Sequence, residues 1–152
     1  MISSLLSAWT RPVPRPALFL GAAGLVPFIA ATVMLIVGAE HTDLFWRSVL
    51  LGYGVAILSF LGGVEWGLAM QHNDQRDWLR YSASVAPALV AWIAFLLPQP
   101  TQFPILAAGF VLTLIYDLSM VGRAEVPRWY QNLRWPLTII VVACLLLASA
   151  AG

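Results

Sequence analysis

The sequence predicts an all-α membrane protein, built as a bundle of five transmembrane helices. Of its 152 residues, 61% are hydrophobic and 10% are charged, whereas soluble domains carry about 25% charged residues. Five apolar stretches approach the roughly 20 residues that cross a bilayer, and only short polar segments separate them. We therefore expect one membrane domain, residues 16–152, preceded by an N-terminal segment, residues 1–15.

The N-terminal segment is predicted to lie at the membrane interface. Its apolar residues recur at the spacing of a short interfacial helix, with a frayed tail as the alternative: Ile2, Leu5, Leu6 and Trp9. The run from Arg11 to Pro16 holds three prolines, which favour an extended linker because each disfavours helix in the residue before it.

The first two predicted helices cover about residues 16–38 and 44–70. Pro16 suits the first turn of a helix, and Pro27 predicts a kink. A polar turn from Glu40 to Asp43 separates the two helices. The second helix carries Glu65 within an apolar stretch.

The last three predicted helices cover about residues 78–97, 103–121 and 134–150. Pro87 predicts a kink in the third helix, and Pro98 and Pro100 end it. Asp117 lies in the fourth helix. Pro136 suits a first turn, which sets the predicted start of the fifth helix near residue 134.

The arginines predict the orientation in the membrane. With five spans, only Arg47 lies on the side opposite the N-terminus, and the other arginines share the N-terminal side: Arg11, Arg15, Arg76, Arg80, Arg123, Arg128 and Arg134. Positive charge marks the inner side. We expect the N-terminus inside and the C-terminus outside, in a bacterial inner membrane or, in a eukaryote, the mitochondrial inner membrane.

A stripe of small residues follows one side of the second helix at 100° per residue: Gly52, Ala56, Ser59, Gly63 and Gly67. Small residues allow close helix packing, against either another helix of the chain or a second copy. The first alternative predicts that Gly63→Leu destabilises the fold more than Gly54→Leu. Glu65 lies nearly opposite this small-residue stripe.

Two acids lie at similar depth within predicted spans. Glu65 precedes Gln71 and Asp117 precedes Arg123 by six residues each, about 9 Å along a helix from one boundary. A carboxylate at mid-membrane costs roughly 2.5–3.5 kcal/mol on insertion scales, so we expect Glu65 to face the bundle and a polar partner, with Ser84 among the candidates. The candidate polar cluster or ligand site comprises Glu65, Trp66, Arg80, Tyr81, Tyr116, Asp117 and Arg134.

Three interpretations of these acids remain open: pairing with arginines that reach inward, a ligand or proton site, and a contact with a partner protein. Catalytic residues, a metal site and a cofactor are not expected. Cys144 is the single cysteine, His41 and His72 belong to opposite sides, and no phosphate loop or metal motif occurs. A net charge of +1 without a basic cluster gives no reason to expect nucleic-acid binding.

Three segments resemble the transmembrane protein 69-like family of small membrane proteins with a domain of unknown function. They are Gly21-Ala-Ala-Gly-Leu-Val-Pro-Phe28, Ile57-Leu-Ser-Phe-Leu-Gly-Gly-Val-Glu-Trp-Gly-Leu-Ala69, and Pro127-Arg-Trp-Tyr130 followed by Arg134-Trp-Pro-Leu137. The Gly-Gly-x-x-Trp-Gly core is the most specific part. The resemblance implies a helical membrane protein of bacteria or mitochondria, and it implies no activity or catalytic residue.

Short loops and the lack of a catalytic constellation favour a small accessory, assembly or scaffold subunit. Its partners would be membrane lipids and either a larger membrane complex or a second copy. The alternative is a carrier or binding protein for a lipid, quinone or proton, with an acidic pocket at Glu65 and Asp117. An enzyme is the least favoured class.

Overall fold

The computed structural model describes residues 12–38, 40–71, 78–122 and 126–151. Five helices lie in this part of the chain: α1 (Arg15–Val37), α2 (Asp43–Gln71), α3 (Trp78–Leu96), α4 (Gln102–Gly122) and α5 (Arg128–Ala150). All five are long and apolar enough to cross a membrane. The predicted all-α, five-helix fold is confirmed. The helix expected around Leu5 lies outside the described residues.

Prolines mark where α1 and α5 begin. Pro14 precedes α1 and Pro127 precedes α5, each with extended backbone angles that stop a helix from continuing backwards. The predicted start of α5 near residue 134 is wrong. Pro136 lies inside that helix instead of in its first turn, so the helix also includes Trp129 and Tyr130.

The helices pack as a closed ring in chain order, and α5 returns to contact α1. In addition, α2 contacts α4 across the ring. These two helices run in the same direction because one helix, α3, separates them in the chain. Their C-terminal halves therefore lie at the same end of the bundle as the start of α5. Phe28, Phe103 and Phe110 are the largest fully buried side chains among the described residues.

The glycines show which side of α2 faces the bundle. A Cβ at Gly62 would lie 2.5 Å from the Ser84 carbonyl oxygen, and a Cβ at Gly54 would meet Leu106. On α4, a Cβ at Gly109 would lie 2.6 Å from Leu58. Helices approach closely at these glycines, where a larger side chain would not fit.

The small-residue stripe lies on the outside of the bundle. Apart from neighbouring backbone of α2 itself, Gly52, Gly63 and Gly67 have no described atom within 4 Å of where a Cβ would stand. Ala56 is exposed and Ser59 is half-buried. The expectation that this stripe packs on another helix of the same chain is wrong, and Gly54→Leu should be more harmful than Gly63→Leu. The alternative, a contact with a second copy, stays a prediction.

The charged residues of α2 explain this orientation. Arg47 and Glu65 are 18 residues apart, which is five full turns at 3.6 residues each, and both are buried. Exposing either charge to acyl chains would cost several kcal/mol. The side that carries the charges therefore turns inward, and the small-residue stripe opposite is left facing outward.

Candidate intramembrane binding site

A buried ion pair joins α4 to α5. The Nε of Arg134 donates a hydrogen bond to Oδ2 of Asp117 at 2.6 Å, and the two side chains are 8% and 2% exposed. One turn before Arg134, the hydroxyl of Tyr130 donates a long hydrogen bond, 3.5 Å, to Oδ1 of Asp117. Both oxygens of the Asp117 carboxylate thus have a donor.

Glu65 completes a buried ion-pair cluster, which we define as Glu65, Asp117, Tyr130 and Arg134. Glu65 is 2% exposed and lies close enough to Asp117 and Arg134 to interact with both electrostatically. Its Oε1 has no hydrogen-bond partner within the described part of the chain. Two carboxyl groups share one guanidinium in this cluster, and the hydrogen bond from the Nε of that guanidinium goes to Asp117. Of the two acids, Glu65 is therefore the one that keeps an unused hydrogen-bond acceptor.

The Glu65 carboxyl lies beside a cavity of about 180 Å³ between α3 and α4, which we call the Glu65 cavity. An apolar cavity of about 150 Å³ is large enough to bind benzene, so this one has room for a ring-sized group. Leu112, on its wall, is 61% exposed, which places the cavity next to the acyl chains. Its lining residues are Glu65, Ala83, Ala86, Pro87, Val90, Gly109, Leu112, Thr113 and Tyr116.

Apart from the Tyr116 hydroxyl, which can donate or accept, the polar groups on the wall of the Glu65 cavity are hydrogen-bond acceptors. Pro87 has no N–H to give to the carbonyl of Ala83 four residues earlier, and both residues line the cavity. The hydroxyl of Thr113 already donates to the Gly109 carbonyl at 2.9 Å. Hydrogen-bonding capacity at this cavity therefore favours a group that donates.

The other predicted site residues occupy different places. Tyr116 lines the Glu65 cavity. Trp66 and Tyr81 form an edge-to-face pair with ring centres 5.0 Å apart, and neither lines the cavity. Arg80 is half-buried on α3 and lies outside the cavity wall, while the Ser84 hydroxyl donates to the Tyr81 carbonyl.

Tyr130 is the member of the cluster that the sequence analysis missed. A helix that starts near residue 134 leaves Tyr130 in the preceding loop, whereas α5 starts at Arg128. The spacing of four residues between Tyr130 and Arg134 would have put both side chains on one helical face. In the described part of the chain, no group of three His, Cys, Asp or Glu residues could hold a metal ion.

At the opposite end of the bundle, Arg47 forms a separate polar contact. Its Nε donates to Oδ2 of Asp43 at 2.7 Å, and its Nη1 donates to the carbonyl of Ala148 at 3.1 Å. Asp43 is one turn away on the same helix and is 37% exposed. This arginine ties the start of α2 to the last turn of α5, where a positive charge is favourable.

Comparison with known proteins assigns the family. A family model described as "Protein of unknown function (DUF3429)" matches residues 13–150. Transmembrane protein 69 of Xenopus tropicalis is 38% identical over 137 residues, 87% of this chain and 53% of that protein. Transmembrane protein 69 of Mus musculus is 28% identical over 135 residues, 84% of this chain and 52% of that protein.

The chain spans about half the length of these relatives, and no solved structure gives a significant match. The family match includes all five helices and every member of the buried ion-pair cluster. The chain therefore belongs to the DUF3429 family, the membrane proteins similar to transmembrane protein 69 that the sequence motifs predicted.

Proposed function

We propose that this membrane protein binds a small, mostly apolar molecule inside the bilayer, with the Glu65 carboxylate as its polar anchor. One observation carries the proposal: Glu65 lines an apolar cavity, and its buried Oε1 has no hydrogen-bond partner in the described residues. A buried polar group costs free energy until a partner satisfies it. A bound molecule that donates a hydrogen bond would be such a partner.

The chemistry of the wall defines the class of ligand. A carboxyl oxygen of Glu65 accepts hydrogen bonds, so the ligand would present a hydroxyl group on an apolar ring or short chain. A quinol head group and a hydroxylated lipid both meet this description. The 180 Å³ cavity would hold the ring or head, and the rest of the molecule would extend along α3 and α4 into the bilayer. A proton alone would not require the apolar cavity, which is why we favour a ligand.

Binding of 4-hexylphenol to the protein in lipid nanodiscs tests the proposal by titration calorimetry, with empty nanodiscs as the blank. The matched probe is 4-hexylphenol methyl ether, which lacks the donor. We expect the phenol to bind and the ether to bind at least tenfold more weakly. Glu65→Leu should weaken phenol binding about tenfold, because it removes the acceptor, and a hydrogen bond contributes about 0.5–1.5 kcal/mol.

Two small residues one turn apart on α3 provide a matched pair of variants. Ala86 lines the Glu65 cavity, so Ala86→Phe should fill it and abolish binding. Ser82 is exposed and is absent from the cavity wall. Helical side chains point toward the N-terminus of their helix, so a phenylalanine at position 82 extends away from Ala86, and Ser82→Phe should bind like the wild type. Equal affinity for the phenol and the ether, or unchanged binding by Ala86→Phe, would contradict the proposal.

The outward-facing stripe supports a second candidate function, that of an accessory, assembly or scaffold subunit. Gly63 and Gly67 leave open space on the outer face of α2, where a helix of a larger membrane complex or of a second copy could approach closely. Gly63→Leu should then keep the monomer stable and abolish the association seen by native mass spectrometry in mild detergent. Gly62→Leu should instead destabilise the monomer by about 1–3 kcal/mol through overpacking. A complex that survives Gly63→Leu would contradict this role.

We also propose a location in a bacterial inner membrane or the mitochondrial inner membrane, with the N-terminus inside. The excess of arginine on the N-terminal side supports this orientation. Reporter fusions at each terminus test it. An odd number of spans requires the two reporters to lie on opposite sides, and an outside N-terminus would overturn the orientation.

A further inference from the structure

We infer a second binding site, for a neutral molecule with a carbonyl group, on the other side of the ion pair between Asp117 and Arg134. It is a cavity of about 300 Å³ enclosed by α1, α2, α4 and α5, which we call the Arg134 cavity. This site is separate from the Glu65 cavity and shares no lining residue with it. Residues from all four helices line it, among them Gly24, Phe60, Phe110, Arg134 and Thr138.

Two buried polar groups belong to this otherwise apolar wall. Arg134 and Thr138 are one helical turn apart and only 6% and 3% exposed. Nη2 of Arg134 and Oγ1 of Thr138 each have no hydrogen-bond partner among the described residues. A guanidinium nitrogen can only donate, and a hydroxyl can donate as well. The Arg134 cavity therefore offers two donors on neighbouring turns, so its ligand must carry an acceptor.

The charges in the buried ion-pair cluster decide between a neutral acceptor and an anion. The Arg134 guanidinium is already bonded to the Asp117 carboxylate, and the Glu65 carboxyl lies within electrostatic range of both. A carboxylate or phosphate ligand would bring a third acid to a single buried guanidinium, at low dielectric where like charges repel strongly. An ester or ketone oxygen accepts the same hydrogen bonds without that repulsion.

The shape of the cavity fits a molecule that enters from the acyl chains. Leu20 and Phe60 on its wall are 74% and 65% exposed, so the cavity adjoins the lipid-facing surface. Its volume is about twice that of the roughly 150 Å³ apolar cavity that binds benzene, enough for an ester group and a short chain, or for a quinone ring. Apolar side chains line the rest, including Phe28 and Phe110.

Gly24 keeps part of this space open. A Cβ at Gly24 would have only the Tyr53 hydroxyl within 4 Å, at 3.8 Å, among the described atoms. A leucine at this position can therefore extend into the Arg134 cavity without first meeting a backbone. The neighbouring Ala23 is exposed and is absent from the cavity wall, so Ala23→Leu adds the same bulk on the lipid side.

Three probes of similar length test the site in nanodiscs by titration calorimetry: methyl decanoate, 2-undecanone and decanoate. We expect at least one neutral carbonyl probe to bind, and decanoate to bind at least tenfold more weakly at neutral pH. Preference for the ester identifies acyl lipids as the source, and preference for the ketone identifies quinone-like molecules. Tighter binding of decanoate than of both neutral probes, or no binding of either neutral probe, would overturn the inference.

Variants of residues on and off the two cavity walls show which cavity binds the preferred probe. Gly24→Leu should abolish binding of the preferred probe, Ala23→Leu should leave it unchanged, and Thr138→Val should weaken it three- to tenfold. Ala86→Phe, which fills the Glu65 cavity, should have no effect. Binding that persists in Gly24→Leu, or that Ala86→Phe abolishes, would assign the probe to another place and overturn the Arg134 cavity as its site.

Discussion

Among the residues that the structure describes, two arginines are buried, Arg47 and Arg134, and they lie at opposite ends of the bundle and differ in their counter-charges. Each donates from Nε to a carboxylate, at 2.7 Å and 2.6 Å respectively. The partner of Arg47 is Asp43, one turn away on the same helix and 37% exposed. The partner of Arg134 is Asp117, on a different helix and 2% exposed, with a second buried acid, Glu65, close by.

This difference separates a structural contact from a candidate site. Arg47 and Asp43 form a pair of one cation and one anion, and Asp43 is partly exposed. Arg47 also donates a hydrogen bond to the last turn of α5. The buried ion-pair cluster has two acids for one arginine and adjoins two cavities. An ionisable side chain inside the membrane costs free energy, and one without a structural role usually marks a ligand or ion site.

Replacing each arginine should change the free energy of unfolding most, and the two losses should differ between the two ends of the bundle. Arg134→Leu leaves the carboxylates of Glu65 and Asp117 buried without a cation, which should cost about 3–5 kcal/mol of unfolding free energy. Arg47→Leu leaves Asp43, which is partly exposed and can be hydrated, so it should cost less than half as much. Unfolding in mixed micelles of SDS measures both. Equal losses would show that the two ends are energetically alike.

Neutralising the bonded acids should give intermediate effects. Asp117→Asn weakens the bond to Arg134, but Glu65 remains as a counter-charge, so we expect a loss of about 1–3 kcal/mol. Asp43→Asn removes an ion pair that is partly exposed, which typically contributes about 0–1 kcal/mol. The double variant Asp117→Asn with Glu65→Gln should lose more than the sum of its single variants. Additive losses would show that Glu65 does not substitute for Asp117.

Glu65→Gln should have the smallest effect on stability. The change removes the excess acid and keeps the shape of the side chain, so the free energy of unfolding should stay within about 1 kcal/mol of wild type or rise. The same unfolding assay measures it, with Ser82→Phe as a control at an exposed position. A loss as large as that of Asp117→Asn would make Glu65 a structural partner of Arg134 and would remove the basis for a ligand.

The fold could be predicted because bilayer thickness and hydrogen bonding leave few alternatives for apolar stretches of this length. The burial of Glu65 followed from the same physics. The error at α5 arose because Pro127 and Pro136 both suit a helix start, and local preference alone does not choose between them. Packing against α1 and α4 holds the longer helix, including Tyr130.

The two faces of α2 show a second limit of prediction from sequence. Its sequence contains small residues on both sides, Gly54 and Gly62 on one and Gly63 and Gly67 on the other. Counting glycines favoured the wrong side, whereas the charges of Arg47 and Glu65 mark the buried one. The two cavities could not be predicted, because residues as distant in the chain as Gly24 and Thr138 line the same space only after the helices pack.

Native mass spectrometry of the protein purified from its own membrane tests the central claim, that Glu65 anchors a ligand. The spectra of wild type, Glu65→Leu, Ala86→Phe and Ser82→Phe should be recorded in mild detergent, with extracted small molecules identified by mass. We predict that wild type and Ser82→Phe retain a hydroxyl-bearing apolar molecule, and that Glu65→Leu and Ala86→Phe lose it while remaining folded. The same bound molecule in all four proteins, or none in the wild type, would contradict the account.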